Sequence, residues 1–149
     1  MRILHAGGAL EADMEVQARA EMAANPRYRW LGELPRWQAR RLMARSRLMA
    51  ITSRTEGGAY VVGEAVTAGV PVLATDIPGT VGLLGRGYPG YFPVGDAPAL
   101  AALLRRAETE PAFLAALEAG VRRAAPQFAP ARERAAWRAL LAELRRGGT

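Results

Sequence analysis

Two acidic side chains, Glu56 and Glu64, stand eight residues apart inside the run Glu56-Gly57-Gly58-Ala59-Tyr60-Val61-Val62-Gly63-Glu64-Ala65. Glutamate is common, so the spacing alone carries little. The setting carries more: one acid follows a strand-like run and the other lies inside the next helical pattern, with glycines between. A helix N-terminus presents unpaired N–H groups and a partial positive charge, which suits a phosphate. Gly57 and Gly58 let backbone approach a ligand with no side chain in the way. Glu64, within the first helical turn or so, is placed to accept two hydrogen bonds from a vicinal diol such as a ribose. Glu56, ahead of the phosphate cradle, is placed to hold hydroxyls on the far side of that phosphate. The combination suits one polyhydroxylated, phosphorylated ligand of the sugar–diphosphate–nucleoside type. No Walker lysine follows, so a nucleoside triphosphatase is a poor fit. On spacing alone a plainer reading is the stronger one: Glu64 as a dipole-stabilising helix acid and Glu56 as a solvated loop residue.

The elements that must position these residues follow from the pattern of apolar runs. Residues 2–6 read as a strand ending at Gly7-Gly8, and residues 10–24 as a helix carrying Leu10, Met14, Ala18 and Met22. Residues 28–31 form a second strand closed by Gly32. Pro35 opens a helix whose Ala39, Leu42, Met43 and Ser46 share one face. Strands at 48–52 and 71–74 flank the helix with Glu64, and 90–92 supplies a fifth. Gly69 followed by Pro71 reads as ordinary helix termination. Asp96 is an expected N-cap, after which the chain turns helical over 97–108, 111–124 and 130–146. The last of these aligns Trp137, Leu140, Leu141 and Leu144, a stripe of the kind that more often forms core than a partner surface. His5 reads as a strand-end hydrogen-bonding residue.

Strand–helix alternation with short connections predicts an α/β fold: a Rossmann-like parallel sheet with helices on both faces. Ligands in such folds bind outside the carboxyl ends of the strands. Gly7, Gly8, Gly32, Glu33 and the stretch 53–60 all fall at those ends, so they are expected on one rim. The 149 residues are expected to form a single domain, burying roughly 70% of the unfolded surface.

Composition excludes several function classes. The chain has no cysteine and a single histidine, which removes disulfide frameworks, thiolate metal sites and histidine-based metal sites. The Asp-x-Asp arrangement that would hold a diphosphate through a metal is absent, so no metal and no cofactor are expected. The net charge of +6 comes from arginine alone, without lysine. Those arginines are scattered along helices with no interleaved aromatics, so nucleic acid is not an expected partner. No apolar run approaches the roughly 18 residues of a membrane span, and the start lacks a signal-peptide pattern, which predicts a cytoplasmic protein.

The central segment resembles the donor-binding C-terminal domain of GT-B glycosyltransferases of the retaining, family 4-like group. That group carries two glutamates with seven residues between, met here by Glu56 and Glu64. The likeness continues through Glu64-Ala65, Ala68-Gly69-Val70-Pro71-Val72 and a small-residue turn at Pro78-Gly79. Trp30-Leu31-Gly32-Glu33-Leu34 is similar to the strand and loop that flank the base. Gly90-Tyr91-Phe92-Pro93-Val94-Gly95-Asp96 is similar to the short strand before the C-terminal helices. The likeness covers about residues 1–125. It implies donor binding by Gly7, Gly8, Gly32, Glu33, Leu34, Gly57, Gly58, Ala59, Tyr60, Val61 and Glu64, with Glu56 as the catalytic residue, against the donor sugar near the reacting centre. The donor implied is a nucleotide-diphosphate-sugar, UDP-linked, and the reaction is sugar transfer with retention.

The family's N-terminal acceptor domain, and the strand whose loop supplies cations to the diphosphate, have no counterpart here. The expectation is therefore a truncated or split transferase, with a separate N-terminal acceptor domain or a second copy as its partner. A non-catalytic sugar-nucleotide-binding or docking module is the alternative. Within the family, Glu56-Gly57-Gly58-Ala59, Ile77-Pro78-Gly79, Val81-Gly82-Leu83-Leu84-Gly85 and residues 88–96 resemble the selenosugar synthase branch of selenoneine biosynthesis. Its members join selenophosphate to N-acetylglucosamine carried on UDP.

Overall fold

Strands and helices alternate from the first residues, as the apolar runs dictate. The computed structural model describes residues 1–56 and 60–147. In chain order the elements are β1 (Ile3–His5), α1 (Ala12–Ala24), β2 (Tyr28–Trp30), α2 (Arg36–Ala44), β3 (Met49–Ile51), α3 (Tyr60–Thr67), β4 (Val72–Thr75), α4 (Pro78–Leu84), β5 (Tyr91–Phe92), α5 (Ala97–Thr109), α6 (Pro111–Ala124), a 3₁₀ turn (Ala125–Phe128) and α7 (Pro130–Gly147). The fold class is α/β with parallel sheets, as expected. The chain divides into two compact units, Met1–Arg45 and Ser46–Thr149.

In the first unit β1 pairs parallel to β2, with Ile3 opposite Tyr28 and His5 opposite Trp30. His5 Nδ1 lies 2.7 Å from the Tyr28 hydroxyl, the strand-end hydrogen bond expected of it. On α2, Ala39, Leu42 and Met43 are half-buried and the other residues exposed, as read from the sequence, whereas Ser46, expected on the same face, lies beyond the helix end at Ala44. The helical spacing on α1 does not produce a buried stripe. None of its residues is buried, and Met14 and Met22 are exposed.

The second unit holds the core. Its sheet has the order β3-β4-β5, all parallel, with Met49 opposite Val72 and Ala74 opposite Tyr91. The central strand β4 is buried along its whole length, and its Val-Leu-Ala-Thr run is what a strand covered on both faces requires. From α6, Phe113, Leu117, Val121 and Ala124 recur at helical spacing and are buried, joined by Val62, Ala65 and Val66 of α3. Helix α3 ends in a Schellman arrangement: the Val70 N–H reaches the Ala65 carbonyl and the Gly69 N–H reaches that of Val66, with Gly69 at φ +71°. Asp96 caps α5 as expected, its carboxylate accepting from the Ala99 N–H at 2.8 Å.

Two expectations are corrected. Pro78-Gly79 is not a turn but the opening of α4, where proline's fixed φ suits the first helical position. The stripe on α7 is not core. Trp137 is 58% exposed and Leu144 63%, with Leu140 and Leu141 similarly open.

Tyr88 fills a gap that the short β5 leaves. Its hydroxyl donates to the Val72 carbonyl at 2.7 Å and accepts from the Val72 N–H at 2.9 Å. One side-chain oxygen thereby satisfies both backbone groups that a strand residue would otherwise pair. Burial pushes the Tyr88 phenol up to about 12, partly opposed by the hydrogen bond to Val72. Tyr91 is likewise pushed up to about 12 by burial and by the Asp76 carboxylate. Both folded values lie above the roughly 10 of an unfolded tyrosine, so the folded state retains protons that the unfolded state gives up. The stability they contribute is complete below about pH 10 and is lost as pH rises through 12. For the buried Tyr88 the loss reaches about 2–3 kcal/mol, while solvent screening makes that of Tyr91 smaller. The urea midpoint is expected to be lower at pH 11 than at pH 8, where the full contribution is still present.

Candidate functional site

Glu56 lies on the loop that leaves the carboxyl end of β3, and its half-buried side chain is held from within that loop. The Ser53 hydroxyl donates to Glu56 Oε1 at 2.7 Å. Ser53 is itself fixed, since its carbonyl accepts from the Thr75 hydroxyl at 2.7 Å. Thr75 ends the buried strand β4 and is 0% exposed, so the anchor is part of the core. Its carbonyl in turn accepts from the Thr80 hydroxyl at 2.6 Å, also at 0% exposure. Buried hydroxyls without partners are costly, and both of these are satisfied.

Glu64 sits on α3. The helix begins at Tyr60, which places Glu64 in its second turn rather than the first. Val62, Ala65 and Val66 turn into the core, and Tyr60, one helical step of four before Glu64, is 90% exposed. Glu64 is half-buried and Val61 exposed. The helix is seated by the 3₁₀ turn, whose Phe128 ring lies 3.0 Å from where a Cβ at Gly63 would stand. Gly57, Gly58 and Ala59, named as backbone donors, lie outside the described residues.

In the first unit, the expected residues at the strand ends are brought together. The Gly7 N–H donates to the Gly32 carbonyl at 2.9 Å, and the Trp30 indole donates to the Gly7 carbonyl at 2.8 Å. Gly8 faces the Glu33 side chain, since a Cβ there would stand 3.8 Å from Glu33 Oε2. Glu33 is exposed and Leu34 half-buried. Among the described residues no group of three or more His, Cys, Asp or Glu side chains is placed to hold a metal ion. No helix among them is long and apolar enough to cross a membrane.

The sequence reading missed the hydroxyls behind Glu56. Thr75, a polar residue closing an otherwise apolar run, was the available signal, because a hydroxyl in a fully buried strand needs a partner. Chemically, the second unit offers a carboxylate held on a loop, a second carboxylate on the following helix, and that helix's N-terminal turn between them. Such a set can bind hydroxyls on either side of an anionic group.

Comparison with known proteins is consistent with this geometry. Residues 2–124 match the family model of glycosyl transferases group 1. Among solved structures, the pneumococcal O-GlcNAc transferase GtfA, crystallised with UDP and GlcNAc, matches with a TM-score of 0.77 at 20% identity over 97% of this chain. HepE of Anabaena, crystallised with UDP, matches with a TM-score of 0.76 at 23% identity, also over 97%. Sucrose-phosphate synthase from Thermosynechococcus elongatus gives 0.74 at 19% over 99%. The match covers 29%, 41% and 39% of those chains, respectively. The likeness is one of fold, that of the C-terminal Rossmann-like half of GT-B transferases. No curated protein matches the sequence.

Proposed function

We propose, for a chain that belongs to the glycosyl transferases group 1 family, that it forms the donor-binding domain of a retaining glycosyl transfer enzyme and takes a UDP-sugar. Glu64 binds the ribose hydroxyls, backbone amides of residues 57–61 hold phosphate and sugar oxygens, and Glu56 contacts the donor sugar. Gly32, Glu33 and Leu34 flank the base, and Gly7 and Gly8 also contact the donor. The residues 1–149 act as one domain of the family 4-like type, with no metal, in the cytoplasm. An N-terminal acceptor domain, or a second copy, completes the active enzyme. Within the family the selenosugar synthase branch, with UDP-N-acetylglucosamine as donor, is the narrower assignment.

The observation that carries this reading is the Ser53-held Glu56 carboxylate ahead of α3, with Glu64 one element later and outside the core face of that helix. UDP in the GtfA and HepE crystals supports the choice of base. The contribution to catalysis is electrostatic: preorganised N–H donors stabilise charge that develops on the leaving diphosphate. The test is calorimetric titration of the chain with UDP, GDP and UDP-N-acetylglucosamine. Saturable binding of UDP in preference to GDP supports the reading, and no binding at millimolar ligand overturns it.

A second reading, a non-catalytic binding or docking module, is favoured by one feature, the open Trp137, Leu140, Leu141 and Leu144 face of α7. Turnover with a supplied N-terminal domain separates the two, because a non-catalytic module binds UDP-sugar without consuming it.

A further inference from the structure

We infer that Ser53 and Gly79 are positioning residues for Glu56, and that Thr75 and Thr80 tie them to the core so that the carboxylate meets the donor sugar in one orientation. The inference rests on the reading that Glu56 faces that sugar. Three hydroxyls act in series. Thr80 on α4 donates to the Thr75 carbonyl at 2.6 Å, Thr75 donates to the Ser53 carbonyl at 2.7 Å, and Ser53 donates to Glu56 Oε1 at 2.7 Å. The first two are fully buried, so neither exchanges its partner for water. Each accepting carbonyl belongs to backbone held by the sheet or by its adjoining loop, and the Thr80 hydroxyl also lies 3.0 Å from the Ile77 carbonyl.

Gly79 supplies the other wall. A Cβ at this position would stand 2.3 Å from the Glu56 carbonyl oxygen and 3.1 Å from Glu56 Cβ. The Glu56 backbone therefore lies directly against the first turn of α4, at a distance only glycine allows. Ser53 holds the carboxylate from one side while α4 holds the backbone from the other. Oε1 is the carboxylate oxygen engaged by Ser53.

A carboxylate that rotates freely loses part of its binding strength to the entropy of being ordered. One held in place does not. The device thus bears on the sugar moiety and not on the nucleotide. Glu56 stands on a loop, and the hydroxyl series ties it to the core.

The test has two readouts on the wild type, Ser53→Ala, Ser53→Thr and Gly79→Ala. The first needs no ligand. Side-chain three-bond couplings of Glu56 are expected to show one rotamer in the wild type, averaging in Ser53→Ala, and a single rotamer again in Ser53→Thr. Averaging already present in the wild type, or unchanged couplings in Ser53→Ala, overturns the inference.

The second readout is titration with UDP and with UDP-N-acetylglucosamine. Ser53→Ala is expected to weaken the sugar nucleotide about 5- to 10-fold, the worth of one hydrogen bond, and to leave UDP within about twofold. Ser53→Thr restores the difference. Equal weakening of both ligands marks a merely structural role and overturns the inference. Gly79→Ala is expected to act in the same sense as Ser53→Ala and more strongly, with the circular dichroism spectrum retained. If the couplings behave as expected while the wild type binds neither ligand, the positioning of Glu56 stands and the donor-site reading fails.

Discussion

Gly90→Ala is expected to destabilise the second unit by at least about 3 kcal/mol, at the upper end of what overpacking costs. A Cβ at Gly90 would stand 2.4 Å from the Val72 carbonyl oxygen, 2.7 Å from Tyr88 Cε1 and 2.8 Å from Leu117 Cδ2. None of the three can give way cheaply. The Val72 oxygen is backbone of the central strand, Tyr88 is pinned by both of its hydrogen bonds to Val72, and Leu117 is 0% exposed. Displacing Tyr88 also strands the Val72 N–H and carbonyl, and each buried group left unpaired adds about 1–3 kcal/mol. Domains of this size have only about 5–15 kcal/mol in hand, so the change removes a large share. Urea unfolding followed by circular dichroism measures it. Gly82→Ala serves as the contrast: nothing stands within 4 Å of a Cβ there, and the position is inside α4. That substitution is expected to stabilise by about 0.5–1 kcal/mol, the usual advantage of alanine over glycine in a helix. An equal response of the two variants would contradict the packing described here.

Glu64→Ala is expected to weaken UDP binding by about 2–4 kcal/mol, roughly 30- to 1000-fold, if its carboxylate holds both ribose hydroxyls. Hydrogen bonds to a charged acceptor are stronger than neutral ones, and the loss of two is not replaced by alanine. The fold is expected to survive, because Glu64 lies outside the buried face of α3 and alanine is the strongest helix former. Binding and stability therefore part company in this variant. A thermal midpoint within a few degrees of wild type, together with the lost affinity in calorimetry, is the expected pair of results. Unchanged UDP affinity would remove Glu64 from the site.

The sequence made the order of elements legible because each buried strand is a short apolar run bounded by glycine, proline or a helical pattern. β4 is the plainest case, with Val-Leu-Ala followed by a threonine. Asp96 and Gly69 were legible for local reasons, since a cap and a left-handed helix exit depend on residues next to them. α4 was not legible: its Pro-Gly opening reads as a turn, and the close approach of Gly79 to Glu56 is a contact between residues distant along the chain. The stripes on α1 and α7 misled for the opposite reason. Helical spacing says which residues share a face but not whether another element covers it. Of the candidate site, the glutamate pair and its glycines could be named from spacing and resemblance. The support of Glu56 could not, because Ser53, Thr75 and Thr80 meet through pairings more than twenty residues apart along the chain in the case of Thr75 and Ser53.

The Tyr88 hydroxyl at Val72 also protects the protein from itself. β5 is only two residues long, so without Tyr88 the flank of β4 beside it would leave one N–H and one carbonyl of Val72 without a partner. Such open flanks are templates on which strands of other molecules add, the first step toward aggregates. A single phenol occupies the template position and carries no further N–H or carbonyl on which a foreign strand could continue. The short last strand of this sheet is thereby finished by a side chain, and the β4 flank at Val72 is closed to recruitment.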